Sequence, residues 1–143
     1  MDYRIKELRR YLLEVLQEVS DDEVKQINAD FLSNDVDNYS LDKIPTKSEI
    51  EHWVVGITIR KDVYSFRSRK AYSKDAINNL NNICFFEKFE KKIKSNNEKG
   101  KLPNIENIEA IECLNCGTMI EDDTNTAMFD IQIQITYRDD DYE

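Results

Sequence analysis

The last regular stretch of the chain, Met128-Phe129-Asp130-Ile131-Gln132-Ile133-Gln134-Ile135-Thr136-Tyr137, constrains the fold more than any other segment. Phe129, Ile131, Ile133, Ile135 and Tyr137 occupy alternate positions, with Asp130, Gln132, Gln134 and Thr136 between them. Side chains alternate across a β-strand, so this pattern spells a half-buried strand with one apolar face. β-branched residues dominate that face, as a packed pleated surface prefers. A second stretch, His52 to Arg60, answers it, with Trp53, Val55, Ile57 and Ile59 alternating against Val54, Gly56, Thr58 and Arg60. The strand is expected to continue as far as Tyr64. Two one-sided strands require a common cover.

Amphipathic helices supply that cover. From Asp2 to about Val19, Ile5, Leu8, Leu12, Val15 and Val19 recur at spacings of three and four, and Leu16 widens the stripe. Ser20-Asp21-Asp22 competes for backbone hydrogen bonds and ends the helix. Beyond it, Ile27, Ala29 and Phe31 alternate with polar neighbours, then Ser33-Asn34-Asp35 forms a turn and Tyr39, Leu41 and Lys43 alternate again. This reads as a β-hairpin, followed by a connection through Pro45.

Ser65 to Tyr72 is polar and basic, and Ser73 is placed to cap a second helix starting at Lys74-Asp75. Ala76, Ile77, Leu80, Ile83 and Cys84 give its stripe, extended by Phe86, Phe89 and Ile93, with a break expected at Phe85-Phe86. Lys94 to Lys101 reads as a flexible polar loop closed by Pro103. Strands are expected around Ile108–Cys113 and Thr118–Glu121, before an acidic turn at Glu121–Asn125 and the final strand. Asp139 to Glu143 reads as a frayed acidic tail. The chain is thus expected to be one α+β domain spanning residues 1–143, a mostly antiparallel sheet with two main helices packed on one face.

Composition narrows the function. A formal charge of -9 argues against a general binder of nucleic acid or anionic membranes, which needs a basic face. Arg60, Lys61, Arg67, Arg69, Lys70 and Lys74 form a local basic cluster, whose plain reading is a solvated turn near a strand end. No segment approaches the roughly 20 apolar residues of a membrane span, and the N-terminus lacks a signal peptide's apolar core. Three cysteines do not suggest a disulfide scaffold, so a reduced cytosolic setting is expected.

The sharpest local motif is Cys113-Leu114-Asn115-Cys116-Gly117, which looks like half of a zinc knuckle. A closed site needs four ligands, and no second Cys-x-x-Cys exists. Cys84 and His52 are the only other soft ligands, so Cys113 and Cys116 are weak metal candidates and packed, reduced cysteines are favoured. His52, the one histidine, has no nucleophile marked beside it. The acidic runs lack the ligand spacing of a Ca²⁺ loop. No phosphate-binding loop, dinucleotide fingerprint or nucleophile elbow is present. The expectation is a protein without catalytic residues or cofactor.

The order of elements resembles a known family. Glu51 to Arg60, the helix opening on Ser73-Lys74-Asp75-Ala76, Ile108-Glu109-Ala110-Ile111, and the closing strand ending in Ile135-Thr136-Tyr137-Arg138 are similar to the tail-terminator (tail-completion) proteins of tailed phages and phage-derived contractile particles of Gram-positive bacteria. The resemblance implies a structural protein that assembles as a ring, usually hexameric, on the head-proximal end of the tail tube. There it would end tube growth and anchor the sheath or the head–tail connector. The implied partners are further copies of itself, the tail tube protein and the sheath or connector protein, with DNA only as passing cargo and no membrane. Its implied location is the host cytoplasm during assembly, then the finished particle. Interface candidates are Asn34 and Asp35 at the hairpin tip, Arg67, Arg69 and Lys70 in the basic segment, and Asn97 and Lys99 in the polar loop. Two readings compete: a small acidic adaptor or immunity-type protein that captures a basic protein, and a metal module built on Cys113 and Cys116.

Overall fold

A computed structural model describes residues 3–19, 28–29, 38–44, 49–53, 57–71, 76–115, 117–122 and 126–140. In chain order these form α1 (Tyr3–Val19), β1 (Asn28–Ala29), β2 (Asn38–Lys43), β3 (Glu49–Trp53), β4 (Ile57–Ala71), α2 (Ala76–Glu98), β5 (Ile108–Cys113), β6 (Thr118–Asp122) and β7 (Thr126–Asp140). The fold is α+β. Its spine is the antiparallel pair of β4 and β7, in register from Ile57↔Asp140 to Ala71↔Thr126. At roughly 3.3 Å per residue each of these strands extends about 45 Å. The sheet runs β1-β2-β4-β7-β5, with β3 on β4 and β6 on β7. Four antiparallel strands, β2-β4-β7-β5, make its body.

Residues paired across a sheet project to the same face, so the register assigns the faces. Phe66 lies opposite Leu41 and Ile131, Tyr64 opposite Ile133, and Ile135 opposite Ile111. These side chains are all buried, and they share one core with Leu8, Leu12, Val15 and Leu16 of α1 and Phe86, Phe89 and Ile93 of α2. The final strand therefore buries the face that its alternation designates. Burying one such side chain fully contributes about 2 kcal/mol before entropy is counted. The contacts with α2 are aromatic: Phe89 stacks on Phe66 at 5.2 Å between centroids, and Phe86 meets Phe129 at 4.9 Å. From α1, the Arg4 guanidinium sits 4.4 Å over the ring of Tyr137. The two helices are tied by Lys92 Nζ to Glu18 at 3.0 Å and by Asn96 Nδ2 donating to the Tyr11 hydroxyl at 3.2 Å.

Five sequence expectations need correction. The stretch read as a hairpin holds β1 and β2, which pair in parallel through Asn28↔Ser40 and Ala29↔Leu41. Alternation marks a strand without fixing its direction, and the turn expected at Asn34 and Asp35 lies outside the described residues. The single strand from His52 onward is two strands that fold back, with Trp53 opposite Ile57. Val54, Val55 and Gly56 lie outside the described residues. The apolar parity continues through the reversal, which is why period alone misses it.

The basic segment is not a turn but the interior of β4, which extends to Ala71. Lastly, α2 is unbroken at Phe85-Phe86 and includes Lys94 to Glu98. It ends at Gly100 (φ +76°), where Lys101 N donates to Asn96 O at 2.8 Å and Gly100 N to Asn97 O at 3.3 Å. That pair of bonds is a glycine C-cap closing the helix, a role the Lys-Gly-Lys run permits because glycine tolerates positive φ. The acidic tail begins later than expected, since β7 takes in Asp139 and Asp140. Ser73 and the first turn it was expected to cap, Lys74-Asp75, lie outside the described residues, as do residues 141–143.

Candidate interaction site

Both β5 and β6 pair with the same side of β7, β5 with its residues 133–137 and β6 with 127–130. The corner between them, at Leu114-Asn115, is closed by backbone and side chain together. Leu114 N donates to Gln132 O at 2.7 Å. Asn115 Oδ1 accepts from Gln132 N at 2.6 Å, and its Nδ2 donates to Asp130 O at 3.1 Å. The Asn115 amide thus stands in for a missing strand residue, which avoids leaving peptide groups unpaired in a half-buried place. Gly117 follows at φ +63°. A Cβ there would meet Phe86 Cγ at 2.6 Å, so glycine serves both the turn and the close approach of α2.

Beside this corner a cleft of about 300 Å³ opens between α2 and β5, lined by Glu90, Ile93, Lys94, Asn97, Glu98, Ile111, Glu112 and Cys113. Ile93 and Ile111 are buried and make an apolar floor with half-buried Cys113. Glu90, Lys94 and Glu98 recur every fourth residue on α2, so they share one helix face. Along β5, Leu114 N points to β7, and the alternation of a ladder turns Ile111 N outward. That outward amide donates to Asn97 Oδ1 at 3.0 Å. No further strand pairs with β5 among the described residues.

The sequence-designated residues disperse. Asn34, Asp35 and Cys116 lie outside the described residues. Arg69 and Lys70 are buried in β4, 4% and 6% exposed, and Lys70 Nζ donates to the Tyr39 hydroxyl at 2.6 Å while lying 3.6 Å over the Phe85 ring. Arg67, like Arg69, is on the face opposite Lys70, 3.7 Å from the Asp42 carboxylate and 3.4 Å from Ser65 Oγ, which in turn donates to Asp130. Asn97 and Cys113 meet at the cleft, and Lys99 is exposed in the turn after α2. Cys84 is exposed on α2. Among the described residues, no group of three or more His, Cys, Asp and Glu side chains is placed to hold a metal ion. Sequence reasoning missed Glu90, Lys94 and Glu98; their i, i+4 spacing was the available signal once Gly100 is read as the helix end.

A second polar cluster anchors α1. Asp62 is 1% exposed and accepts from the Tyr137 hydroxyl at 3.1 Å, with Lys43 Nζ at 3.8 Å. Its Oδ1 has no hydrogen-bond partner. Burial, then the Asp62 charge, push the Tyr137 hydroxyl up to about 12. The Tyr11 hydroxyl is raised as well, chiefly by burial. The Tyr137–Asp62 bond links β7 to β4, while the Tyr11 hydroxyl ties α1 to Asn96 of α2 and to Lys101 O.

No protein-family model and no curated protein matches this chain. No described helix is long and apolar enough to cross a membrane.

Proposed function

We propose that this chain is a non-catalytic assembly subunit, one that forms a ring on the head-proximal end of a phage or phage-like tail tube, ends tube growth and anchors the sheath or head–tail connector. The observation that carries the reading is the outer side of the sheet, which no further strand covers among the described residues. β5 and β6 both end their ladders there, and an open edge of this kind is a template for another chain unless it is covered. Unlike edges on one subunit suit heterologous contacts, which close into rings. The order of elements similar to tail-terminator proteins supplies the identity of the ring, its tube, sheath or connector partners, and its place in the host cytoplasm and then the particle.

Light scattering across a concentration series, with negative-stain images of the same sample, tests the proposal. Ring-shaped oligomers, or a monomer that caps isolated tail tubes, support it. A monomer that ignores tubes sinks it.

One observation favours a second reading, an adaptor for a basic protein. Three of the four charged residues lining the α2–β5 cleft are glutamates, Glu90, Glu98 and Glu112 against Lys94. A single basic partner captured by the monomer would select that reading.

A further inference from the structure

We infer that the helical surface of one copy takes the outer side of the sheet of a second copy, and that opposite charge on these two regions selects the pairing. The inference rests on the assembly reading above and names the two surfaces that meet.

The charges of this chain are sorted by region. Residues 3–19 and 76–101, which hold α1, α2 and the turn after it, carry ten of the chain's 20 lysines and arginines but only six of its 29 acids. Four of those cations are in α1 and six run from Lys88 to Lys101, while each helix contributes three glutamates. The next stretch reverses the sign. From Leu102 to Tyr137 there are seven acids and no lysine or arginine, and this stretch supplies β5, β6 and most of β7. The total of -9 therefore conceals an excess of positive charge on the helices.

The fold turns both charges outward. Leu8 and Leu12 of α1 and Phe89 and Ile93 of α2 enter one core, and the helices are tied side by side through Lys92–Glu18 and Asn96–Tyr11. Their outward sides therefore share a surface. Eight of its ten cations are exposed, all but Arg4 and Lys92. Two of its six acids already face cations of the same surface, Glu7 with Arg10 at 3.3 Å and Glu18 with Lys92 at 3.0 Å. On the outer side of the sheet Glu106, Glu109 and Glu112 are all exposed, at every third residue along β5 and its lead-in. Glu112 accepts from the Gln134 amide, a neutral group that leaves its charge in place.

These signs decide how two copies meet. Helices against helices oppose cations to cations, and outer side against outer side opposes acids to acids. Helical surface against outer side sets unlike charges together. That contact joins two different surfaces, so each copy keeps one of each for a further neighbour, which is the condition for a ring. Exposed charges of this kind choose partner and orientation more than they add affinity.

The test is light scattering of the full chain at about 0.1 M and about 1 M salt, between which the screening length falls from about 10 Å to about 3 Å. The native chain should assemble with a dissociation constant roughly tenfold smaller at the lower salt, the effect of about three exposed ion pairs. Two variants then reverse one surface each: Lys6→Glu, Lys88→Glu and Lys91→Glu on the helices, and Glu106→Lys, Glu109→Lys and Glu112→Lys on the outer side. Each alone sets like signs across the contact and should stay monomeric at low salt. Mixed in equal amounts they should assemble again, because each finds the opposite sign on both surfaces of the other. Circular dichroism checks that the variants are folded, and the salt series on the native chain stands without them. Assembly equal at both salts, variants that assemble alone, or folded variants that mixing fails to restore overturns the inference and leaves the ring standing. A native chain monomeric at low salt overturns it as well, whether its lysines then hold a DNA duplex or nothing, and capping of tail tubes separately decides the assembly reading.

Discussion

Two asparagines patch the outer side of the sheet, and they do so unequally. Asn115 uses both ends of its amide, accepting from Gln132 N and donating to Asp130 O, and so completes the ladder of β7 where β5 stops and β6 has yet to begin. Asn97 reaches across from a helix and offers β5 a single acceptor, for Ile111 N. The first patch is built into the strand it serves and backed by Gly117 and the Phe86 ring; the second comes from another element and borders an open cleft. An edge satisfied from within is closed, whereas an edge satisfied by one borrowed oxygen is exchangeable. This difference separates the part of the outer side that is satisfied by the residue next to its own ladder from the part that is satisfied by a residue of the helix.

The comparison breaks most visibly at Gly117. Gly117→Ala forces a Cβ into the Phe86 ring and holds alanine at φ +63°, so it should cost about 2–4 kcal/mol, read as a fall in urea midpoint. A midpoint unchanged within error would mean that α2 does not press on this corner. Next in size is the contrast between the asparagines themselves. Asn115→Ala leaves two backbone groups of β7 unpaired and should cost about 2–3 kcal/mol, against about 1 kcal/mol for Asn97→Ala, whose freed amide gains access to water at the cleft. Equal losses in the two variants would erase the distinction drawn here. Hydrogen exchange offers a second view, with the Gln132 amide slow and the Ile111 amide markedly faster.

The smallest effect lies at the far end of the same seam, where Ile108 of β5 pairs with Tyr137. The Tyr137 hydroxyl is raised to about 12 in the folded protein, from 10.0. Below pH 10 it is protonated in both states and favours neither. Between about pH 10 and 12 the unfolded chain sheds this proton first, so the folded state loses stability as pH rises. Tyr137→Phe should start less stable, having lost its bond to Asp62, and the gap to the native chain should narrow from pH 9 to 11. A constant gap would show that this hydroxyl ionises alike in both states.

Much of the architecture is legible in the residues. The parity of Phe129 to Tyr137 names the buried face of β7 correctly, and the stripe Leu8, Leu12, Val15, Leu16 names that of α1. The span Ile108–Cys113 is read to the residue. These are local facts, because a side chain's face follows from its own backbone's period. The candidate site was far less legible. Cys113 was singled out as a weak metal candidate and Asn97 as part of a polar loop, and they meet at the cleft only because α2 runs on to Glu98.

Tertiary structure alone decided which strands are neighbours and in which direction. The parallel pairing of β1 with β2, the reversal between β3 and β4, and the burial of Arg69 and Lys70 inside a central strand all depend on what lies across the ladder. So does the work of Asn97 and Asn115. A peptide group's need for a hydrogen bond is written at every residue, but the partner that meets it is distant in sequence, and the spacing of side chains carries no record of it.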